Sequence, residues 1–331
     1  MDKDKYQVCV VTVTYGDRQR FLMQVIDRVL SFPQVANVVV VNNASVQPVE
    51  TADRRVIVLN NRENEGSAGG YCRGVKYAFG QVQSDFIWLL DDDNLPEDGC
   101  LNHLLLEWDK IPGENNKKAL FCLRDDRKTH VNIAHGDDPM QYYLVPDNFL
   151  GFNLFRIFKN QWRKMTGKLI VNGEYKARVV MPYVPYGGLL MHKRLVADIG
   201  YPNADMYLYV DDSEYSYRIT QHEGTIWMIP VCRIIDIDKS QGINYKKRLF
   251  HSQMLDEWNF RTYYHIRNRI YFYSRTAIRN KFMFRVNKLL YLAFLCVISI
   301  LSSKTTEYKK LVVAVNDGLS GNLGKANPEK F

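Results

Sequence analysis

Runs of apolar, β-branched residues alternate with stretches of helical spacing along the first third of the chain. Val8–Thr14 is almost wholly apolar and reads as a buried strand, followed by a turn at Tyr15–Arg18. Leu22, Val25, Ile26 and Val29 then recur at helical spacing within 21–30. Val38–Val41 predicts a second strand and Val56–Leu59 a third, with a helix from about Tyr71 to Phe79 leading to a fourth at Phe86–Leu90. Each strand is followed by a polar segment, which is the order expected of an α/β fold with a mostly parallel sheet flanked by helices. Ligands of such sheets sit beyond the carboxyl ends of the strands. The polar segments 12–18, 42–45, 60–70 and 91–94 all fall there and are expected to converge.

The second half is less regular. A helix is expected over 99–108, short strands over 119–124 and 131–135, and a loop-rich insertion over 137–180. An extended run ending at Met191 precedes a helix over 192–199. A second short run turns into a helix near Asp211, and the stretches 225–230 and 231–237 complete a body of residues 1–250. Residues 251–331 form a helical appendage.

The chemistry concentrates after the fourth strand. Phe86–Leu90 has five apolar residues in succession, and Asp91, Asp92 and Asp93 follow directly. Three like charges at the end of a buried strand need a counter-charge, and a divalent cation of the Mg²⁺ or Mn²⁺ kind suits oxygen ligands. On an extended backbone Asp91 and Asp93 would point the same way and grip one ion, with Asp92 turned toward neighbouring loops. A bare Asp-x-Asp is more often a solvated turn, and the hydrophobic strand in front of it shifts the balance toward metal.

Composition adds a partner. The net charge of +8 is uneven: Lys246 to Lys310 holds 14 Lys/Arg against three acids, leaving about −3 for the rest. Leu289–Leu301 is an apolar stretch of 13 residues with basic residues on both sides, too short to span a bilayer and suited to an anionic membrane surface. Packing against the body or in a dimer is the plainer alternative, and nucleic acid is not the expected partner. Six separated cysteines without metal-ligand spacing read as reduced core thiols. The charged start, Met1 to Lys5, runs straight into a strand and does not read as a signal peptide, so a cytoplasmic setting is expected, peripheral on the inner face of the membrane.

Asn64-Glu65-Gly66-Ser67-Ala68-Gly69-Gly70 lies ahead of the expected helix at 71–79 and fits neither GxGxxG nor a P-loop. Glycines there would let the backbone approach a bulky anion. A second acidic cluster, Asp211-Asp212-Ser213-Glu214, sits where an extended run becomes a helix. Acids favour helix N-termini, but a cap does not need three of them in four residues.

Taken with Thr12–Tyr15, Arg18, Asn42–Ser45, Arg73-Gly74, Gly187-Gly188, Arg218 and Tyr264–Asn268, these motifs resemble the inverting family-2 glycosyltransferases of GT-A fold over about residues 7–270. Within that family the bacterial galactofuranosyltransferases and rhamnosyltransferases are the nearest in pattern. The resemblance implies that Thr12, Tyr15, Arg18 and Asn42 hold the base and ribose of a nucleotide sugar, although many relatives carry Asp where Asn42 stands. Asn64, Gly69, Gly70, Arg73 and Asp92 complete the donor set. Asp91 and Asp93 would bind the metal between the phosphates, and Asp236 would stand where some relatives use His. Asp212 is implied as the base that deprotonates the acceptor hydroxyl, with Asp211 orienting it and Glu214 competing for the role. Gly187, Gly188 and Glu214 would receive the acceptor, a glycan or lipid-linked saccharide. The implied reaction is transfer of galactofuranose from its UDP derivative into a bacterial surface polysaccharide. Transfer of rhamnose from its dTDP derivative is the alternative, and nucleotidyl transfer a more distant one.

Overall fold

A computed structural model describes residues 5–157, 162, 173–238, 245–246 and 248–331. The residues fall into two compact units. Part of the expected 137–180 insertion, residues 158–161 and 163–172, lies outside the described residues.

The first unit comprises residues 1–139, 172–204 and 211–241. Its centre is one sheet in the order β3-β2-β1-β4-β8-β6-β9-β5, with β7 also paired to β9. The strands are β1 (Val8–Thr14), β2 (Val35–Asn42), β3 (Val56–Asn60), β4 (Phe86–Leu89), β5 (Asn94–Pro96), β6 (Lys118–Arg124), β7 (Val179–Met181), β8 (Leu189–His192) and β9 (Thr225–Asp236). β1 to β4 are parallel, as the apolar runs predict, because each returns through a crossover. The sheet as a whole is mixed, not mostly parallel. β8 runs antiparallel to both β4 and β6, and β5 and β7 run antiparallel to β9. Strand direction in this half depends on pairing between distant segments, which periodicity does not encode.

Four helices border the first part of this sheet: α1 (Gln19–Leu30), α2 (Gly66–Gln81), α3 (Cys100–Lys110) and α4 (Lys128–Ala134). Val131–His135, expected as a strand, lies mainly in α4. Two further helices, α5 (Lys193–Ile199) and α6 (Asp211–Gln221), follow β8. α2 begins five residues earlier than its apolar spacing indicates, so Gly69, Gly70 and Gly74 are helical. Their smallness serves packing: a Cβ on Gly70 would come within 2.6 Å of Val13, and one on Gly74 within 2.6 Å of Val11. α2 therefore lies close against β1. The core behind β1, β2 and β4 is built from Val8, Val10, Val38, Val40, Phe86 and Trp88 with the inner faces of α1 and α3.

β9 runs as one strand through the stretches 225–230 and 231–236. It pairs with β6 as far as Cys122↔Ile229, then jumps to Leu123↔Arg233, so three extra residues bulge from it. The shift sets Arg124 beside Ile234, while β5 places Asn94 opposite Asp236.

The second unit comprises residues 140–171, 205–210 and 242–331. Among its described residues are α7 (Gln253–Asp256), α8 (Phe260–Thr276), α9 (Lys281–Leu301) and α10 (Thr305–Ser320). Tyr263, Tyr264, Ile266, Leu295, Ile298, Leu311 and Val315 form its core, with Phe149 and Phe284. Asn268, fully buried, donates to the carbonyls of Met206, Leu208 and Tyr209, and Arg267 donates to those of Met206 and Gly324. Tyr207, Tyr209 and Val210 are held at φ of 63°, 65° and 65°, left-handed positions that include a β-branched residue. The apolar stretch seen at Leu289–Leu301 is the second half of a 21-residue helix, long and apolar enough by length and composition to cross a membrane. One side of α9 packs in the unit through Phe284, Asn287, Leu295 and Ile298. Its other side exposes Phe282, Leu289, Phe294, Val297 and Ile300.

Candidate active site

The four polar segments do meet at the carboxyl ends of β1 to β4. β4 stops at Leu89 and the chain turns at Asp92 and Asp93, so the alternation that would align Asp91 with Asp93 does not operate. Asp92 and Asp93 instead face one guanidinium. Arg18 Nε donates to Asp92 at 2.8 Å, Nη2 to Asp93 at 2.5 Å and Nη1 to Asp238 at 2.6 Å. Thr14 Oγ1 adds a bond to Asp92 at 2.7 Å. Burial lowers the Arg18 pKa, but the three carboxylates outweigh it and leave the group raised. Burial pushes Asp92 up to about 7 against the pull of Arg18 and Thr14.

Asp91 turns the other way. It accepts from the Tyr71 hydroxyl at 2.8 Å and lies 3.9 Å from Arg124, and its pKa is raised by burial, with Asp93 adding. Arg124 also pairs with Asp126 at 3.1 Å and Asp236 at 2.9 Å. Three arginines, Arg18, Arg124 and Arg127, thus face six carboxylates, which leaves the region with an excess of acidic groups. Burial and the neighbouring Asp93 raise Asp236, and its Oδ1 is buried without a hydrogen-bond partner.

That donor set fits a hard cation in part. Among the described residues no group of three or more His, Cys, Asp or Glu is gathered to hold an ion unaided. Asp93 and Asp236 nonetheless bring carboxylates side by side with one orphaned oxygen, in a region carrying excess negative charge. Mg²⁺-type ions are commonly held by one or two carboxylates, with phosphates and water completing the shell. Gly187 sits against this group: a Cβ there would strike Asn94 and lie 2.9 Å from Asp91 and 3.0 Å from Arg124. Gly188, at φ +109°, packs on Cys122 and Ile234.

The second acidic cluster opens α6. Asp211 is buried, and the Ser67 hydroxyl lies 3.0 Å from both its oxygens. Burial and Asp212 raise its pKa together. Asp212 is partly exposed, accepts from Ser213 N at 2.6 Å and Ser213 Oγ at 3.1 Å through Oδ1, and is pushed up to about 6 by burial, with Asp91 contributing. The two clusters are therefore within electrostatic reach. Tyr71 connects them: its hydroxyl holds Asp91, and its ring lies 4.0 Å from that of Tyr186. The Tyr186 hydroxyl is raised by burial and by Asp211 and Asp212, but makes no hydrogen bond of ordinary geometry.

Several expected donor contacts have other surroundings. Thr12 is fully buried with an unpartnered hydroxyl, so it faces the core. Thr14, two residues on, reaches the site instead. Tyr15 is 37% exposed, and the Arg18 guanidinium lies 5.6 Å from its ring centre. Asn42 binds Asn60 and the Ser45 amide, both at 2.9 Å, and Asn64 accepts from Asn43 at 3.0 Å and from the Gly66 amide at 2.8 Å. Arg73 donates to Asn60 O at 2.8 Å and to Asn61. Gly69 and Gly70 lie in α2, where Gly69 packs on Glu65 and Gly70 on Val13. Glu214 is tied to Arg218 by two bonds of 2.9 and 2.7 Å along its own helix, so it is not an open acceptor contact. Arg124, Asp126, Tyr71 and Ser67 also belong to these contacts, beyond the residues the motifs single out. The charged segment Arg124-Asp125-Asp126-Arg127 at the end of an apolar strand was the available signal for the first two.

Comparison with known proteins bears on the class of the chain. Residues 9–156 match the model of glycosyl transferase family 2. The chain is similar to a galactofuranosyltransferase (GlfT1) of Mycolicibacterium smegmatis, with 25% identity over 284 residues, 82% of this chain and 84% of that protein. In fold it is similar to a mannosyltransferase of Pyrobaculum calidifontis solved with GDP-mannose and Mn²⁺, at a TM-score of 0.50 and 15% identity over 99% of this chain and 79% of that one. It is equally similar, at a TM-score of 0.50 and 15% identity, to GalNAc-T7 solved with UDP, GalNAc and Mn²⁺, matching over 80% of this chain and spanning 48% of that one. The chain is a glycosyltransferase related to family 2, broadly GT-A-like in fold.

Proposed function

We propose that the protein is an inverting, metal-dependent glycosyltransferase that moves galactofuranose from UDP-galactofuranose onto a glycan or lipid-linked acceptor in polysaccharide synthesis. The observation that carries this reading is the meeting of the two acidic clusters through Tyr71 and Tyr186. Single-step inversion needs a cation, held by one acidic group, to offset the charge of the departing diphosphate and a carboxylate to deprotonate the attacking hydroxyl.

Asp93 and Asp236 would hold the cation, with Asp91 beside them, and the bound ion would neutralise charge building on the nucleotide phosphates. Arg18 fixes Asp92 and Asp93 from one side and Arg124 fixes Asp236 from the other, so the carboxylates cannot spread apart. Gly187 keeps the backbone low enough for a bulky group to approach Asp91 and Asn94. Asp212 takes the acceptor proton. Its raised pKa makes it a stronger base than an ordinary carboxylate while it remains ionised near neutral pH. Asp211, more deeply buried, retains a proton more readily and orients its neighbour through α6 and Ser67.

The exposed apolar side of α9, with Lys281, Arg285 and Lys288 on the same helix, supports a peripheral seat on the inner face of an anionic membrane. A donor panel tests the reaction: UDP-galactofuranose, dTDP-rhamnose and GDP-mannose are each offered with Mn²⁺ and with a chelator, and free nucleotide is measured. Metal-dependent UDP release is expected. Release of dTDP instead would reassign the donor, and no release from any sugar nucleotide would overturn the reading.

A further inference from the structure

A cavity of about 310 Å³ lies wholly within the second unit and takes no part in the chemistry above. Arg156, Arg269, Tyr142, Tyr273, Phe152 and Gln141 are among its walls, and no carboxylate lines it among the described residues. Neither arginine forms an ion pair among those residues. Both are partly buried, and Arg269 lies over the Tyr273 ring at 5.5 Å. Two uncompensated guanidinium groups on one concave surface make a receptor for a doubly charged anion, which they can grip through paired N–H bonds. Gln141 Oε1 is buried without a partner, and its amide can be turned to present N–H to such an anion.

An aromatic path leads from this cavity to the apolar side of α9. Phe152, in the cavity wall, stacks on Tyr291 of α9 with centroids 5.6 Å apart. Tyr291 lies 6.4 Å from Phe294, which is 57% exposed. Val297 and Ile300, three and six positions further along the same helix, are exposed as well. Polar charge and exposed hydrocarbon are thus joined within one unit.

We infer that the cavity binds the phosphate or diphosphate of an amphiphile whose apolar chain lies along the exposed side of α9. The inference deepens the membrane reading and rests on it. Two sources share this chemistry, a bilayer phospholipid and a lipid diphosphate carrying a saccharide.

Calorimetric titration of the full chain with farnesyl diphosphate, inorganic diphosphate and farnesol tests it. Farnesyl diphosphate should bind more tightly than either fragment, and the double variant Arg156→Gln/Arg269→Gln should weaken it by about tenfold or more. Arg156→Lys/Arg269→Lys should recover part of that loss at an unchanged melting temperature. Phe294→Ser should weaken farnesyl diphosphate but not inorganic diphosphate. Competition by phosphatidylglycerol vesicles would point to the bilayer headgroup, and titration unaffected by vesicles to a lipid diphosphate; both uphold the site. Equal affinity in wild type and the double glutamine variant, or no binding by wild type, would overturn it. Nucleotide release from the sugar donor, measured in parallel, is expected to be unchanged in these variants. Loss of that release from every form would count against the transfer reaction and leave the cavity result standing.

Discussion

Replacing Asp212 by Asn is the sharpest perturbation of the proposed chemistry. Asp212 Oδ1 is already engaged by the Ser213 amide and hydroxyl, which leaves Oδ2 as the atom able to accept a proton. Asn preserves the volume and the Oδ1 contacts and removes only the basic oxygen. A positioned base is worth about 10²–10⁴-fold in rate, or roughly 3–5.5 kcal/mol of barrier. The donor constant should hardly move, because Asp212 makes no bond to the Arg18 and Arg124 clusters. The wild-type rate should climb with pH through about 6, since the group works only when deprotonated and its pKa is raised to that value. The variant should lose that rise. Steady-state rates with a saccharide acceptor, measured from pH 5 to 8, provide both readings. Retention of more than a tenth of the turnover, or an unaltered ascending limb, would refute Asp212 as the base. If Asp211→Asn alone removes the limb, the base is Asp211.

Removing the Arg18 side chain (Arg18→Ala) strands three buried carboxylates, so a loss of about 3–5 kcal/mol is expected in urea melts, shrinking as pH falls below about 7 and Asp92 protonates; a change below about 0.5 kcal/mol would show that the cluster is not coupled to folding. Gly74→Ala drives a methyl into Val11 and Val41 and should cost about 1–3 kcal/mol, whereas Gly80→Ala, in open space on the same helix, should stabilise by about 0.5–1 kcal/mol. Equal melting midpoints for the two would contradict the close seating of α2 on β1. Asp211→Asn should gain thermal stability relative to wild type as pH rises. The raised carboxyl favours the folded state while protonated, and that contribution fades between its ordinary value of 3.8 and its folded value of about 8. A melting difference that is the same at pH 4.5 and pH 8 would contradict this sign. Chelation should stop nucleotide release and Mn²⁺ should restore it; full activity in excess chelator would remove the cation from the mechanism.

Much of the first half was legible because local signals and tertiary placement agree there. Val8–Thr14, Val38–Val41 and Phe86–Leu89 are strands for the reason their composition implies, and all three are buried. The start of α2 was misplaced because Gly66, Gly69 and Gly70 carry loop propensity, and only the nearness of Val13 explains why small residues are required in a helix. Likewise, Asp91-Asp92-Asp93 announced a charged site, but a three-residue string does not reveal that the backbone turns within it. Arg124 and Asp236 are 112 positions apart, and their 2.9 Å contact depends on pairing that local pattern does not disclose. Thr12 and Thr14 share one strand, and the end of that strand, not its alternation, decides which hydroxyl reaches the acids.

The offset inside β9 has an engineering corollary. Each strand residue advances the chain by about 3.3 Å and reverses its facing, so the three surplus residues act as a spacer with a fixed parity. Excising one would present Ile237 where the Asp236 carboxylate now stands, while excising two would keep parity but pull that acid back by roughly 7 Å. Deletion variants through Pro230–Cys232 would therefore report separately on orientation and on reach.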